Sequence, residues 1–234
     1  MEGYKAFAKR TGAKILGIKK TPFPAKNENI FTKLFPDIIR KKPEVLIASQ
    51  AGTDQQKLIK CANEAGLKNK MSIVHTLCML PVAESLNPED AVGMYWGSSF
   101  YWGLKDILPT AKKFVTLFKN RFKRWPSSYA AYGYSGAMEM LTAVDKAGKY
   151  PIDPNKVAKE LEGRTFAHYK HPEWWRPCDH QAFQDFYILK FKGPEERKGK
   201  DDSSEIVDTV SWDLELGRTC KSIGHAKKMW GHIK

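Results

Sequence analysis

No stretch of the 234 residues approaches the roughly 18 consecutive apolar residues that a membrane-spanning helix needs. The opening MEGYKAFAKRTGAK has no apolar core of the kind a secretory signal carries, so none is expected on this chain. Cysteine is scarce. Cys61, Cys78, Cys178 and Cys220 form no C-x-x-C pair and are too few for a disulfide-dense scaffold. The patterns G-x-S-x-G, H-E-x-x-H, G-x-G-x-x-G and the phosphate-cradling P-loop are all missing, and no internal repeat is visible. With 42% hydrophobic and 28% charged residues, the chain has an ordinary folded composition that excludes disordered and collagen-like classes.

Charge is present in excess of one sign: 39 Lys and Arg against 26 Asp and Glu, a net +13. Such an excess invites a nucleic-acid reading. The basic pairs Lys19-Lys20, Lys41-Lys42, Lys112-Lys113 and Lys227-Lys228 are instead spread over the whole chain, with no zinc-finger spacing or RNP motif. Dispersed charge of this kind sets solubility and encounter rates, so no nucleic-acid partner is expected.

The six histidines yield no catalytic or metal constellation. Cys178-Asp179-His180 puts three ligand types in adjacent positions, where neighbours on a strand point to opposite faces. A Cys–His nucleophile pair needs side chains that meet, which adjacent residues seldom do. No catalytic residue, metal or cofactor is expected, and nothing asks for an enzyme. Cys61 and Cys78 read as buried thiols. Cys178 and Cys220 could pair in an oxidising compartment, where closing so long a loop contributes roughly 4 kcal/mol in the chain-entropy picture.

The first hundred residues alternate. Helix from Gly3 to Thr11, strand from Ala13 to Ile18, helix from Asn29 to Arg40 with Pro36 as its weak point, strand from Glu44 to Ser49, helix to Gly66 capped by Thr53 or Asp54, and strand from Met71 to Leu77 follow in order. Buried-type strands alternating with helices indicate a parallel sheet covered by helices. A strand from Ala91 to Ser98 leads into the aromatic run Tyr95 to Trp102. Helices are expected from Pro109 to Arg124 (Phe114, Leu117, Phe118 and Phe122 on one side), from Ser128 to Ala147 (Ala130, Tyr134, Ala137, Leu141 and Val144 on one stripe), and briefly from Asp153 or Asn155 to Leu161. Gln181 to Phe191 reads as a strand, Gly193 to Glu205 as a loop, and the tail has no assignment.

In open parallel sheets ligands sit beyond the carboxyl ends of the strands. There the strand ending at Ser49 delivers Gln50, Ala51, Gly52 and Thr53, and the next delivers His75 and Thr76. Gly52 permits close backbone approach, and the following helix start offers N–H groups to an anion. These suit a small polar or carboxylate-bearing solute, or are ordinary loop residues. Tyr95, Trp96, Tyr101 and Trp102 either wall a cleft or pack a connector between two units.

The residues also resemble a known family. The runs GAKILGI from Gly12, KPEVLIAS from Lys42, LIKCANEAGL from Leu58, VGMYWGSSFYW from Val92, AKKFVTLFKNRF from Ala111, WPSSYAAYGYSGA from Trp125 and WWRPCDHQ from Trp174 follow the order of a type I periplasmic solute-binding protein, of the branched-chain amino acid (Leu/Ile/Val-binding) family of ABC importer receptors. The resemblance implies the α/β fold class: a parallel-sheet, Rossmann-like lobe of a bilobed protein, plus part of the other lobe. It implies a periplasmic receptor, without chemistry on its ligand, that closes on an amino acid or an organic acid and delivers it to a membrane permease. By position it implies residues 1–93 as the second lobe, 94–103 as a hinge crossover, 104–178 as segments of an incomplete first lobe, and 179–234 as a return strand and tail.

Ligand contacts then fall on Gln50, Ala51, Thr53, His75 and Thr76. The family's aromatic contact falls at Ala51 and its acidic contact at or near His75, and neither residue type is kept. Without the carboxylate that holds an ammonium group, a carboxylate or aromatic acid stands beside an amino acid as the implied solute. The same fold also serves as the ligand-sensing domain of membrane receptors and regulators, where a downstream membrane helix or DNA-binding motif would mark it. The resemblance further implies that most of the first lobe and a signal peptide would precede Met1, and that helices 109–124 and 128–147 would pack on that absent half. The 234-residue chain alone is therefore expected to bind solute weakly or not at all and to aggregate; tight binding by it in a calorimeter would contradict this.

Overall fold

The computed structural model describes residues 2–148, 150–211 and 220. Helix α1 (Glu2–Thr11) stops at Gly12, whose φ of +73° breaks helical geometry. Residues 13–18 form no strand: Ile15, Leu16 and Ile18 are all exposed and no neighbour offers them a ladder. The expected helix from Asn29 divides into α2 (Asn29–Thr32) and α3 (Phe35–Lys41), because Pro36 has no N–H to give and fits only a first turn.

The alternation then proceeds largely as the pattern implies. Strand β1 (Val45–Ala48) leads to α4 (Gly52–Glu64), β2 (Ser72–His75), α5 (Leu80–Ser85), α6 (Pro88–Ala91) and β3 (Tyr95–Ser98). Helices α7 (Pro109–Phe122), α8 (Ser128–Ala147) and α9 (Pro154–Leu161) follow. Three short strands, β4 (Thr165–Phe166), β5 (Glu173–Trp175) and β6 (Ala182–Phe183), make a small antiparallel sheet. The expected strand 181–191 is thus two: β6 stays in the small sheet, and β7 (Phe186–Phe191) returns to the large one. Strand β8 (Ser204–Val210) occupies a stretch read as loop and unassigned tail, although its S-E-I-V-D-T-V alternation is legible.

The large sheet has the order β1-β2-β3-β7-β8. β1, β2 and β3 are parallel, whereas β7 and β8 are antiparallel additions, so the sheet is mixed rather than wholly parallel. Register aligns His75 with Trp96 and Trp96 with Leu189, which puts all three on one face. That face is the core: the three are fully or almost fully buried with Leu58, Ile59 and Ala62 of α4 and Leu80 and Ala83 of α5. On the opposite face Val45 and Ile47 remain about half exposed.

Helix α8 buries a stripe other than the one its apolar spacing indicates. Ala131, Ser135, Glu139 and Ala143 face inward, while Leu141 is 66% exposed. The inward carboxylate decides this. Glu139 accepts from Trp175 Nε1 at 3.0 Å and lies 2.8 Å from His168 Nε2 and 3.2 Å from Arg164 Nε, so α8 turns its small and polar residues to the β-strand unit. On α7, Ala111, Phe114 and Val115 are buried, whereas Leu117 and Phe122 are exposed. Cys178 and Cys220 are joined in a disulfide with their Cα atoms 5.8 Å apart, and Cys61 and Cys78 are free and buried.

Two stability predictions come from the core face and the centre of the sheet. A Cβ on Gly97 would lie 2.2 Å from the Phe186 ring and 3.0 Å from the Thr76 carbonyl oxygen, whereas one on Gly133 of α8 meets nothing within 4 Å. Gly97→Ala should therefore cost about 1–3 kcal/mol in urea unfolding by overpacking, and Gly133→Ala should gain about 0.5–1 kcal/mol by helix propensity. Equal effects would show that the sheet centre is not close-packed.

His75 has no exposure and no hydrogen-bond partner on either ring nitrogen, and burial pushes its imidazole from 6.5 down to about 4. Between those values the unfolded chain binds a proton that the folded chain refuses. Stability is thus lost as pH falls through that window, by about 3 kcal/mol at its lower end. Urea titrations at pH 7 and pH 4.5 should show a smaller acid loss in His75→Leu than in the parent chain; equal losses would contradict the burial.

Candidate functional site

The carboxyl ends of β1, β2 and β3 lie side by side, and the loops they release form one edge of the molecule. After β1 the chain passes Gln50 and Ala51 into α4. Ala51 is the N-cap residue in extended geometry and has no side chain with which to cap. Thr53 and Asp54 therefore do not cap as their types suggest. Gly52, at φ +57°, makes the entry turn, Thr53 is exposed, and the Asp54 carboxylate is buried. The backbone N–H groups of this first turn are left for water or an anion.

Asp54 has a structural employer that its sequence position does not reveal. Its Oδ2 accepts from the Ala25 N–H at 2.8 Å, and Lys57 Nζ donates to the Ala25 carbonyl oxygen at 2.9 Å. Gln50 Nε2 donates to Thr21 Oγ1 at 3.3 Å. Residues 21–25 are thus strapped across the edge beside α4, and Phe23 stands out from the strap 81% exposed. No periodic pattern marks this strap; the T-P-F-P run at Thr21, which restricts the backbone at every second residue, is its signal.

After β2 the expected pair of site residues divides. Thr76 is half-buried at the edge, its N–H donating to the Ala48 carbonyl oxygen at 3.0 Å. His75, expected at the cleft, is instead fully enclosed, because it shares the covered face of β2 with Ile73. Gln55 Nε2, buried in α4, donates to the Leu77 carbonyl oxygen at 2.9 Å and fixes the next loop. The structure therefore gathers Gln50, Ala51, Thr53 and Thr76 on the edge and withdraws His75 from it.

The aromatic run is also not a cleft wall among the described residues. Trp96, Tyr101 and Trp102 are buried, and Tyr95 is half-buried on the other face. Trp96 stacks on Phe191 at 5.7 Å and donates Nε1–H to Ser204 Oγ at 2.9 Å. The Tyr101 hydroxyl accepts from the Ser204 N–H, and Trp102 Nε1 donates to the Asp201 carbonyl oxygen at 3.1 Å while stacking on Trp125 at 4.4 Å. Satisfied polar tips and stacked faces make these rings the seam between β3 and the segment leading into β8.

Chemistry-bearing groups also collect where no sequence motif marks them. Lys170, Glu173 and Asp185 are buried near the end of β3, and Asp185 Oδ2 lies 2.6 Å from His171 Nδ1. Burial pulls the Lys170 ammonium below its ordinary value and pushes the Glu173 carboxyl above its own, with the two charges opposing both trends. Among the described residues no group of three or more His, Cys, Asp or Glu is arranged to hold a metal ion. Two surface depressions among the described residues, of about 400 and 440 Å³, lie away from the carboxyl edge. One lies between α3 and α4 around Phe35 and Ile39, the other at the amino ends of β2 and β3 around Met71 and Tyr95.

Comparison with known proteins agrees with this architecture. The periplasmic binding protein family matches residues 1–200. No curated protein matches the sequence. Among solved structures, an amino acid ABC transporter substrate-binding protein from Pseudomonas fluorescens Pf-5 superposes with a TM-score of 0.80 at 22% identity, over 93% of this chain and 57% of that one. A periplasmic binding protein from Burkholderia mallei gives 0.76 at 25% identity, over 92% and 57%. A solute binding protein of an ABC transporter from Rhodopseudomonas palustris HaA2, in complex with p-hydroxybenzoic acid, gives 0.75 at 16% identity, over 92% and 57%. The chain spans little more than half the length of these structures. On a family match extending from residue 1 to residue 200 and the shared mixed α/β fold, the chain belongs to the periplasmic binding protein family.

Proposed function

We propose that this chain is the solute-gripping part of a receptor serving an ABC importer in the periplasm. It holds a small carboxylic acid at the carboxyl edge of β1–β3 and hands it to a membrane permease without chemical change. The observation that carries the reading is the uncapped start of α4 directly after β1, bordered by Gln50, Thr53 and Thr76 and by the strap bearing Phe23. Free N–H groups at a helix start favour an anion. The edge residues Gln50, Ala51, Thr53 and Thr76 include no carboxylate, so they offer an ammonium group no ionic partner. An acid lacking an amino group is thereby favoured over an α-amino acid.

Exposed Phe23 supplies an apolar ring for the rest of such a ligand, a role the buried Trp96, Tyr101 and Trp102 leave open. The solute binding protein from Rhodopseudomonas palustris HaA2, in complex with p-hydroxybenzoic acid, supports an aromatic acid as the class of solute. In this reading residues 1–93 are the second lobe, 94–103 the crossover, 104–178 segments of the first lobe, and 179–234 the return strand and tail.

A thermal-shift screen tests the proposal on the polypeptide completed to the length of its relatives, with aromatic carboxylic acids against branched-chain amino acids. A ligand at 100 times its Kd should add about 2.7 kcal/mol of stability. The account expects the aromatic acids to raise Tm more, and expects Phe23→Ala to reduce that rise by at least half. A response to amino acids alone would overturn the choice of solute, and no response to either class would overturn the receptor reading.

A further inference from the structure

We propose that Lys170 is a brace fixing the two chain segments that pass between the five-stranded sheet and the helical part, and that it limits the angle between those parts. In a receptor that closes on solute, as read above, this angle is the closing coordinate. Strand β3 leaves the sheet at Ser98, and β7 enters it at Phe186; the last register pair of their ladder is Ser98 opposite Tyr187. Immediately beyond that pair, Lys170 Nζ donates to the Ser99 carbonyl oxygen at 2.8 Å and also to Gln184 Oε1. One ammonium thus spans both crossings where the backbone ladder has ended. Its side chain has no exposure, so water does not compete for these bonds.

The groups around it make the arrangement specific. Glu173 Oε2 of β5 lies 3.8 Å from the ammonium, and Glu173 Oε1 has no hydrogen-bond partner. Asp185, on the returning crossing, faces the ammonium electrostatically while bonded to His171. Glu139 of α8, with its own His168, Trp175 and Arg164 partners, faces Glu173. The buried hydroxyl-bearing rings of Tyr169 and Tyr187 complete the surround. The Tyr132 hydroxyl bonds Ser99 Oγ, so the outgoing crossing is held by side chains at both the carbonyl oxygen and the hydroxyl of Ser99.

The choice of lysine has a physical reason. An ammonium is a compact charge with three donors, so a single side chain can tie two acceptors on different segments where no backbone ladder joins them. A charge buried without such partners would be too costly to retain.

The test needs no solute. Spin labels on Asn69→Cys, beside the sheet, and Lys156→Cys, on α9, report the distance distribution between the parts, because Cys61 and Cys78 are buried and Cys178 is bonded to Cys220. Lys170→Met combined with Glu173→Gln removes the brace without stranding a carboxylate, and Gln184→Leu removes one acceptor at a half-buried position that folding tolerates better. The expected result is a distribution at least twofold wider in the double variant and a smaller widening in Gln184→Leu. Leu58→Ala, which destabilises the sheet core remote from the crossings, should leave the width unchanged. Unchanged widths in both brace variants, or equal widening in Leu58→Ala, would overturn the brace. Either result leaves the solute reading standing, and a failed solute screen leaves the brace standing.

Discussion

Strand β3 forms hydrogen bonds in two senses at once, parallel to β2 and antiparallel to β7, and the positions of the other parts depend on it. Its four residues hold Trp96 under the core helices and place Gly97 where the Phe186 ring leaves no room for a side chain. They also carry the chain out of the sheet at Ser98. Because β2 and β1 are aligned to it in register, their carboxyl ends emerge together, and the loops bearing Gln50 and Thr76 meet on one edge. A slip of one residue would turn His75 and Trp96 out of the core.

The polar interior is organised around the same exit. Most buried polar groups have partners supplied from distant segments: Trp96 from Ser204, Glu139 from Arg164, His168 and Trp175, and Lys170 from Ser99 and Gln184. An unpaired charge in such surroundings would cost several kcal/mol. The connection between sheet and helices therefore has few alternative geometries. The carboxyl edge is different: exposed Thr53, an uncapped helix start and exposed Phe23 leave groups available to a partner.

Much of the first hundred residues was legible because buried parallel strands and amphipathic helices leave strong periodic signals, and the ends of α7 and α8 lie within two residues of the expected bounds Pro109–Arg124 and Ser128–Ala147. The strand expected at 13–18 failed since strand type is set by a neighbour, which composition does not report. The face of α8 was misjudged because Glu139, a carboxylate, is what turns inward, and hydropathy assigns such a residue to solvent. At the carboxyl edge, the positions of Gln50, Thr53 and Thr76 follow from strand ends alone. His75 was misplaced because alternation along a four-residue strand was outweighed by its polar type. Lys170 with Glu173 left no mark at all, since only a tertiary arrangement 71 residues apart joins Lys170 to Ser99.

The dependence on β3 is most directly examined by native-state hydrogen exchange on the 234-residue chain. The account predicts that the amides of residues 94–98 and 187–191 exchange last and together, only through global unfolding, while those of α8, with Met140 and Leu141 uncovered, open earlier at lower free energy. Amides of α8 that outlast those of β3 and β7 would contradict it.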